Sequence, residues 1–564
     1  MIMHTPKTPS RHFTRHTLAL TLSLPLTLSA YAQVAPSSGQ LMQEVTPAMP
    51  LVEPARPALK IEAPAAHTPD NSVSFKVQKI QIVGNTRFDT ATLHALVADQ
   101  EGRELSLTQL NALAARITDY YRQHGYLVSR AYIPAQQAHD ATVRIAVLEA
   151  RYGTITLSND SRVHDHALAS TLAPLHSGDL ITLGPLDRSL LLLGDVPGLS
   201  ANGTLSPGTA VGTSDLQVHV ADLATFTGDV GVDNYGNRYT GRPRFSSDFS
   251  INNPLHQGDQ LSFNGLTEGS GMNYGRMAYQ YPLTGNGLTL GASVSALDYR
   301  LNQQASVAEL GANGNAQQES LWLSQAMVRS RTFNVWGQIQ YTHQHLNDLI
   351  SVSGLENARQ TNDWTLGLSG NLLAAGSSTS ANFGLTTGRL GFGNDAAQAI
   401  DQQGANLGGN YTKWSLNLSH VQQLASTTSL YLSFAGQAAN KNLDPSEQFI
   451  LGGPTSVRAY DLGAVVGAQG YQATAELRQT LPFSWGGLWQ ATAFFDNGFV
   501  QVNHNVYADG ANTAILDGAG VGLNWYGPHA WVATAALAAK VGPTPVLVAD
   551  ASSVRLWLRL QKAF

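Results

Sequence analysis

Two histidine pairs are the side chains best spaced to hold a metal. His343 and His345 stand two apart on a strand-like run and so share one face, and His164 and His166 repeat the spacing. Two imidazoles on one face can chelate a transition metal. Polar strand faces are also what a water-filled lumen requires, and a polar lumen lining is the reading adopted for His343 and His345. Other chemistry is missing from the sequence. There is no glycine-rich phosphate loop ending in Gly-Lys-Ser/Thr, no His-Glu-x-x-His and no Gly-x-Ser-x-Gly. The 564 residues include no cysteine, which removes disulfides, thiolate metal sites and thiol nucleophiles. The expectation is a protein that is not an enzyme and carries neither cofactor nor metal. A net charge of -6 without a long basic run argues against nucleic acid as a partner.

The elements change character along the chain. Lys7, Arg11 and Arg15 precede a short apolar run, Thr17 to Leu28, and Ala30-Tyr31-Ala32 fits a small-x-small cleavage site. Residues 1–32 are therefore expected to be a signal peptide. Residues 33–72 carry Pro36, Pro47, Pro50, Pro54, Pro57, Pro64 and Pro69 and predict an extended, poorly packed linker, with a weak helical signal near Gly39 to Glu44. Residues 73–149 read as a small α/β module. Lys79 to Ile82 alternates as a strand, and Asp89 caps a first helix. Ser106 and Gln109 form a capping box for a second helix, whose Leu110, Leu113, Ala114, Ile117 and Tyr121 fall on one face. Tyr126 to Ile133 and Thr142 to Leu148 read as strands. Residues 150–225 repeat the pattern more loosely, with a helix on Leu183, Leu186, Leu190 and Leu193 and with Asp187 and Arg188 facing out.

From about residue 226 the helical period stops. Strand-length segments alternate apolar and polar residues, as in Leu288 to Leu297, and are separated by Gly, Asn and Asp. Only 13% of residues are charged. The final strand places Val554, Leu556, Leu558, Leu560 and the terminal Phe564 on one face. At roughly 20 residues per strand and turn, residues 226–564 predict a transmembrane antiparallel β-barrel of about sixteen strands.

Three stretches are more specific: NLDPSEQFILGGPTSVRAY from Asn442 to Tyr460, GYQATAELRQTLP from Gly470 to Pro482, and FFDNGFV from Phe494 to Val500. With GDVGVDNYGNRYTG at Gly228 to Gly241, they resemble the outer-membrane transporters of two-partner secretion, the FhaC/ShlB type within the BamA-like superfamily. The resemblance implies two periplasmic POTRA domains at 73–149 and 150–225, a plug helix ahead of the linker, and a loop at about 442–470 folded into the barrel. It implies a loop tip of Val457, Arg458, Ala459 and Tyr460 after the Gly452-Gly453 turn, with Arg458 paired to Asp496 on a wall strand that also carries Phe494 and Gly498. The family usually has Gly at position 459; if the backbone there takes positive φ, Ala459 costs about 1 kcal/mol. The family's partner is an unfolded, adhesin- or haemolysin-like exoprotein bound at the POTRA domains. Other expected partners are outer-membrane lipid and the barrel assembly machinery, which reads the terminal Phe564. Alternatives are a barrel-assembly factor, which would usually carry more POTRA modules, and a passive porin, which leaves the modules without a role.

Overall fold

The computed structural model describes residues 35–46, 58–61, 74–137, 139–301, 308–549 and 552–564. The expected signal peptide and most of the Pro-rich segment lie outside the described residues. No helix among the described residues is long and apolar enough to cross a membrane.

The chain enters as a short helix, α1 (Ser38–Val45), whose N-cap Ser37 accepts the Gln40 N–H at 3.3 Å, and continues to a short strand, β1 (Leu59–Ile61). The first module comprises β2 (Ser74–Val77), β3 (Lys79–Val83), α2 (Thr90–Ala95), β4 (Arg103–Ser106), α3 (Leu107–Gln123), β5 (Arg130–Tyr132) and β6 (Thr142–Leu148). The capping box forms at the start of α3, with Gln109 N–H donating to Ser106 and Ser106 N–H donating to Gln109. The apolar face of α3 packs on Ile80, Ile82, Val143 and Ile145. Two features differ from expectation. β4 is an additional strand paired with β2. The strand expected over 126–133 shortens to β5, because Tyr126 turns inward to pack edge-on against Phe88 and Tyr121.

The second module comprises β7 (Arg151–Asp160), α4 (Asp165–Leu172), α5 (Leu183–Gly194), β8 (Leu199–Pro207) and β9 (Thr213–Asp222). Its sheet order β7-β9-β8 matches β3-β6-β5 of the first, with a parallel then an antiparallel pairing in each. The internal repeat is thus a repeat of topology. β1 adds to the free side of β8.

From Phe226–Asp233 to Val554–Ala563, sixteen antiparallel strands close into a barrel. Strand Leu355–Ala374, with 20 residues, shows how the faces divide. Trp364, Leu366, Leu368 and Leu372 are exposed on the outside, while Thr361, Asp363 and Asn371 are buried toward the lumen. That is the inverse of a water-soluble sheet and the pattern of a barrel in lipid. Aromatic pairs mark the two rims of the apolar band: Tyr341 with Trp364, centroids 5.2 Å apart, and Trp489 with Trp525, 6.2 Å apart.

The same parity corrects the reading of His343 and His345. Thr342 and Gln344 of their strand are buried on the lumen side, so the histidines take the outer face, beyond Tyr341. Their rings meet Nε2 to Nε2 at 2.8 Å, and His343 Nδ1 lies 2.9 Å from the Asn362 amide oxygen. Among the described residues, no three His, Cys, Asp or Glu converge as a metal site.

Asp187 and Arg188 do not face solvent either. Their side of α5 lies against the barrel's short turns, where Asp187 is buried and accepts from Arg331 at 2.9 Å. Arg188 donates to the carbonyls of Ala326, at 2.7 Å, and Asn286, at 3.0 Å. Arg329, its side chain fully buried, grips Asp195 with two hydrogen bonds of 2.7 and 2.6 Å and Asn334 with a third of 2.8 Å. Removing one partner of a buried pair costs roughly 3–5 kcal/mol. Arg329→Ala should therefore loosen the second module from the barrel. The expected result is faster amide exchange in α5 with the folded barrel's electrophoretic mobility unchanged.

Candidate functional site

The segment between strands Thr428–Ala439 and Gln469–Thr480 folds back into the lumen. A small hairpin, Phe449–Leu451 with Val465–Gly467, forms its stem. Gly452 and Gly453 follow at φ of +98° and +113°, the left-handed region that suits glycine. A Cβ on Gly452 would also sit 2.5 Å from the Asp461 carbonyl oxygen. On the wall, Gly498 leaves the space that the Leu451 side chain fills. The tip residues Val457, Ala459 and Tyr460 are completely buried, packed with Phe494, Leu516 and Ala538 of the inner wall.

Arg458 is held from every side. Its Nε and Nη2 donate to the two oxygens of Asp496 at 2.9 and 2.8 Å, a bidentate pairing, and its own backbone N–H donates to Asp496 at 3.1 Å. Nη1 donates to Glu476 at 2.5 Å. The guanidinium carbon lies 3.2 Å from the centroid of the Phe494 ring. The Trp557 indole donates to the Arg458 carbonyl at 2.7 Å. Thr474 supplies Asp496 with a further hydrogen bond of 2.9 Å, and Arg478 reaches Glu476 at 2.9 Å. Two arginines thus face two carboxylates, so the cluster is neutral as a whole. The structure brings Gly452, Gly453, Val457, Arg458, Ala459, Tyr460, Phe494, Asp496 and Gly498 into this one assembly. Phe564 lies apart from it, exposed on the outer face at the end of the last strand, where it exchanges two backbone hydrogen bonds with Gly228.

Ala459 does not have positive φ, so the strain considered for it is absent. Room for its methyl group comes from the opposing wall. A Cβ on Gly518 would lie 2.7 Å from the Ala459 Cβ.

Several residues of the site escape a reading of the sequence. Glu476 falls on the inward face of its strand, yet only the register that sets Glu476 against Phe494 and Thr474 against Asp496 shows that it shares Arg458. Asp461, one residue past the tip, is gripped by Arg242 at 2.7 Å and by Arg555 of the last strand at 2.7 Å. A second cluster lies at the root of the loop. Arg359 pairs with Asp444 near the start of the loop at 2.9 Å and also with Asp348. Asp348 in turn accepts the Ser38 N–H at the start of α1, at 2.7 Å, where the helix dipole favours a carboxylate. α1 is itself inside the barrel, with Leu41 and Met42 buried among wall residues that include Tyr274, Leu297 and Tyr299. Gly39 lies against Ser446 of the loop, and Gln43 donates to the Gln448 carbonyl at 2.9 Å. One wall arginine therefore ties together the helix and the root of the loop.

Comparison with known proteins agrees with this geometry. The family model for haemolysin secretion/activation protein ShlB/FhaC/HecB matches residues 212–525, and that for the ShlB-type POTRA domain matches residues 75–150. The chain belongs to this family: it is an outer-membrane transporter of the two-partner secretion class, with its POTRA domains in the periplasm. It is similar to the heme/hemopexin transporter protein HuxB of Haemophilus influenzae strain 86-028NP, 26% identical over 97% of this chain and 98% of that one. The outer membrane transporter CdiB of Escherichia coli O6:K15:H31 is 24% identical over 84% of this chain and 82% of that one. The solved structure of CdiB from Escherichia coli shares the fold, with a TM-score of 0.68 at 22% identity, covering 89% of this chain and 93% of that one.

Arg458→Ala should leave Asp496 buried without its partner, a loss of roughly 3–5 kcal/mol from the seated loop, read as more frequent channel opening in planar bilayers. Glu476→Gln should open the channel less often than Arg458→Ala does, because Arg458 keeps Asp496. Arg359→Ala should free both α1 and the loop root, and so give larger conductance steps than Arg458→Ala. Gly518→Ala should overpack the tip by roughly 1–3 kcal/mol, and Ala459→Gly in the same chain should recover most of that. Proteolysis of the loop would check it; additive rather than compensating effects would mean that the two positions do not meet.

Proposed function

We propose that the POTRA domains receive an extended, unfolded exoprotein of the adhesin or haemolysin kind, which then threads the barrel lumen once the loop and α1 move aside. Short sheets offer edges, and an extended chain adds to an edge through main-chain hydrogen bonds, with little demand on sequence. In this reading Arg458 and Asp496 latch the loop, Gly452 and Gly453 shape its turn, and α1 is the plug. Phe564 is the group read by the barrel assembly machinery during insertion, and the apolar outer band meets outer-membrane lipid.

One observation carries the proposal. The lumen is filled by two elements that belong to neither barrel nor modules and are held to the wall by charge-assisted contacts around Arg359 and Arg458 together with apolar packing. Such elements can leave without unpairing any barrel strand. A buried catalytic or small-solute site would instead call for a permanent lining. The transported chain would be drawn outward by its own folding, since an extended segment that folds outside does not return.

The test is export in a strain lacking this protein, complemented with wild type, Arg458→Ala or Asp496→Ala. Deletion should abolish appearance of the exoprotein outside the cell while other outer-membrane barrels assemble normally. Either substitution should reduce export severalfold at equal barrel abundance. General loss of outer-membrane proteins would mean that the protein inserts barrels, and a change confined to small-solute uptake would mean a porin.

A further inference from the structure

Five neighbouring barrel strands are longer than the rest. Ala312–Arg329, Phe333–Ile350, Leu355–Ala374, Ser377–Phe392 and Gly409–Ala425 have 16 to 20 residues each. The other eleven have 8 to 14. The turn after Ala326, with Arg331, lies against α5 of the second POTRA domain, so the opposite ends of these strands point to the cell surface. The added length is at that end. On Leu355–Ala374 the outward residues Leu372, Leu368, Leu366 and Trp364 are apolar, and above them come Asn362 and Gln360. The five strands therefore rise as a wall above the apolar band, on one side of the barrel, into the layer that holds the headgroups of the outer leaflet.

The strand register stacks three rows on the outside of this wall. Leu321, Tyr341 and Trp364 stand opposite one another as an apolar and aromatic ledge. The next outward row is Glu319, His343, Asn362 and Arg389. Above it stand Gln317, His345 and Gln360. Arg389 is exposed and makes no ion pair or hydrogen bond to a described residue. Glu319 lies three strand spacings from it, about 14 Å, so the Arg389 end of the row carries uncompensated positive charge.

The contacts within the rows leave donors and acceptors open at the same end. Tyr341 O–H, at 2.8 Å, and His343 Nδ1, at 2.9 Å, both converge on the Asn362 amide oxygen, which leaves the Asn362 NH₂ as a donor beside Arg389. The Thr361 carbonyl, 3.1 Å away, fixes the His343 hydrogen on Nδ1. His343 Nε2 then accepts from His345 Nε2 at 2.8 Å, and His345 keeps Nδ1 open. One step higher, the Asn347 amide oxygen is screened from solvent and has no partner.

We propose that this wall is a binding site for a phosphorylated glycolipid of the outer leaflet. Arg389 and the Asn362 NH₂ hold a phosphate, Gln360, His345 and Asn347 meet sugar hydroxyls, and the acyl chains lie on Trp364, Tyr341 and Leu321. The vertical order of the rows, apolar, then cationic, then amide, is the order of acyl chain, phosphate and sugar in such a lipid. Arginine suits the phosphate because its fork of N–H groups can pair with two oxygens at once. The site needs only the outer-membrane placement of the barrel and is independent of how the lumen opens.

The test is native mass spectrometry of the full-length protein in detergent, with bisphosphorylated lipid A as the probe. Wild type should retain lipid A at least tenfold more strongly than its dephosphorylated form. Arg389→Ala should abolish that difference, and Arg389→Lys should keep part of it. Asn347→Ala should weaken retention of both forms alike. Arg389 lies on the outer surface, so its variants should keep the electrophoretic mobility of the folded barrel. Retention of lipid A by Arg389→Ala at wild-type strength would overturn the site. So would equal retention of phosphatidylglycerol, which has a phosphate but no sugar.

Discussion

Lipid offers no hydrogen-bond partner to a backbone N–H or C=O, so a sheet that crosses a membrane has to close on itself. Here the closing contact joins Phe226–Asp233 to Val554–Ala563, with Asp229 opposite Ala563 and Asp233 opposite Arg559. Closure assigns the faces. Trp364, Leu366 and Leu368 go outward, and Thr361 and Asp363 go inward. It also creates a difficulty, because a barrel of sixteen strands encloses polar space. The loop and α1 fill that space, and they do so against a wall whose inward residues are largely polar or charged.

That wall explains why the loop is held by ion pairs as well as by apolar packing. An apolar plug would leave Asp496, Glu476 and Asp348 buried without partners, at a cost that exceeds the gain from covering the wall. Arg458 and Arg359 each meet two carboxylates instead. Such contacts are strong while water is excluded and weaken as water enters. Hydration of the lumen therefore lowers the barrier to further opening, and the arrangement favours either a closed or an open lumen over states between them.

The sequence made some of this legible and hid the rest for identifiable reasons. Period-two alternation and the terminal Phe564 pointed to the barrel, and the loop tip with Asp496 came from the family resemblance. Parity alone says which residues share a face, not which face it is. His343 and His345 were misread as lumen lining for that reason; Thr342 and Gln344 between and beside them hold the inward position. Arg359 was missed because its partners, Asp348 and Asp444, come from another strand and from the loop root and leave no local spacing signal. Asp187 looked like the solvent side of α5 because the helix was considered without the barrel turn that covers it. β1 is too short to show alternation and sits in a proline-rich segment whose composition suggests no structure at all.

The connection between α1 and β1 has a kinetic consequence. Val45 and Leu59 end these two elements, so the helix in the lumen is joined by a short chain to a strand seated on the second POTRA domain. A leash of that length keeps a detached helix within a few tens of ångströms of the lumen, at an effective concentration on the order of millimolar. Resealing is then a first-order event whose rate does not depend on how many transporters the membrane holds. With α1 as the plug proposed above, a cell can keep a wide conduit in its outer permeability barrier because the stopper never diffuses away.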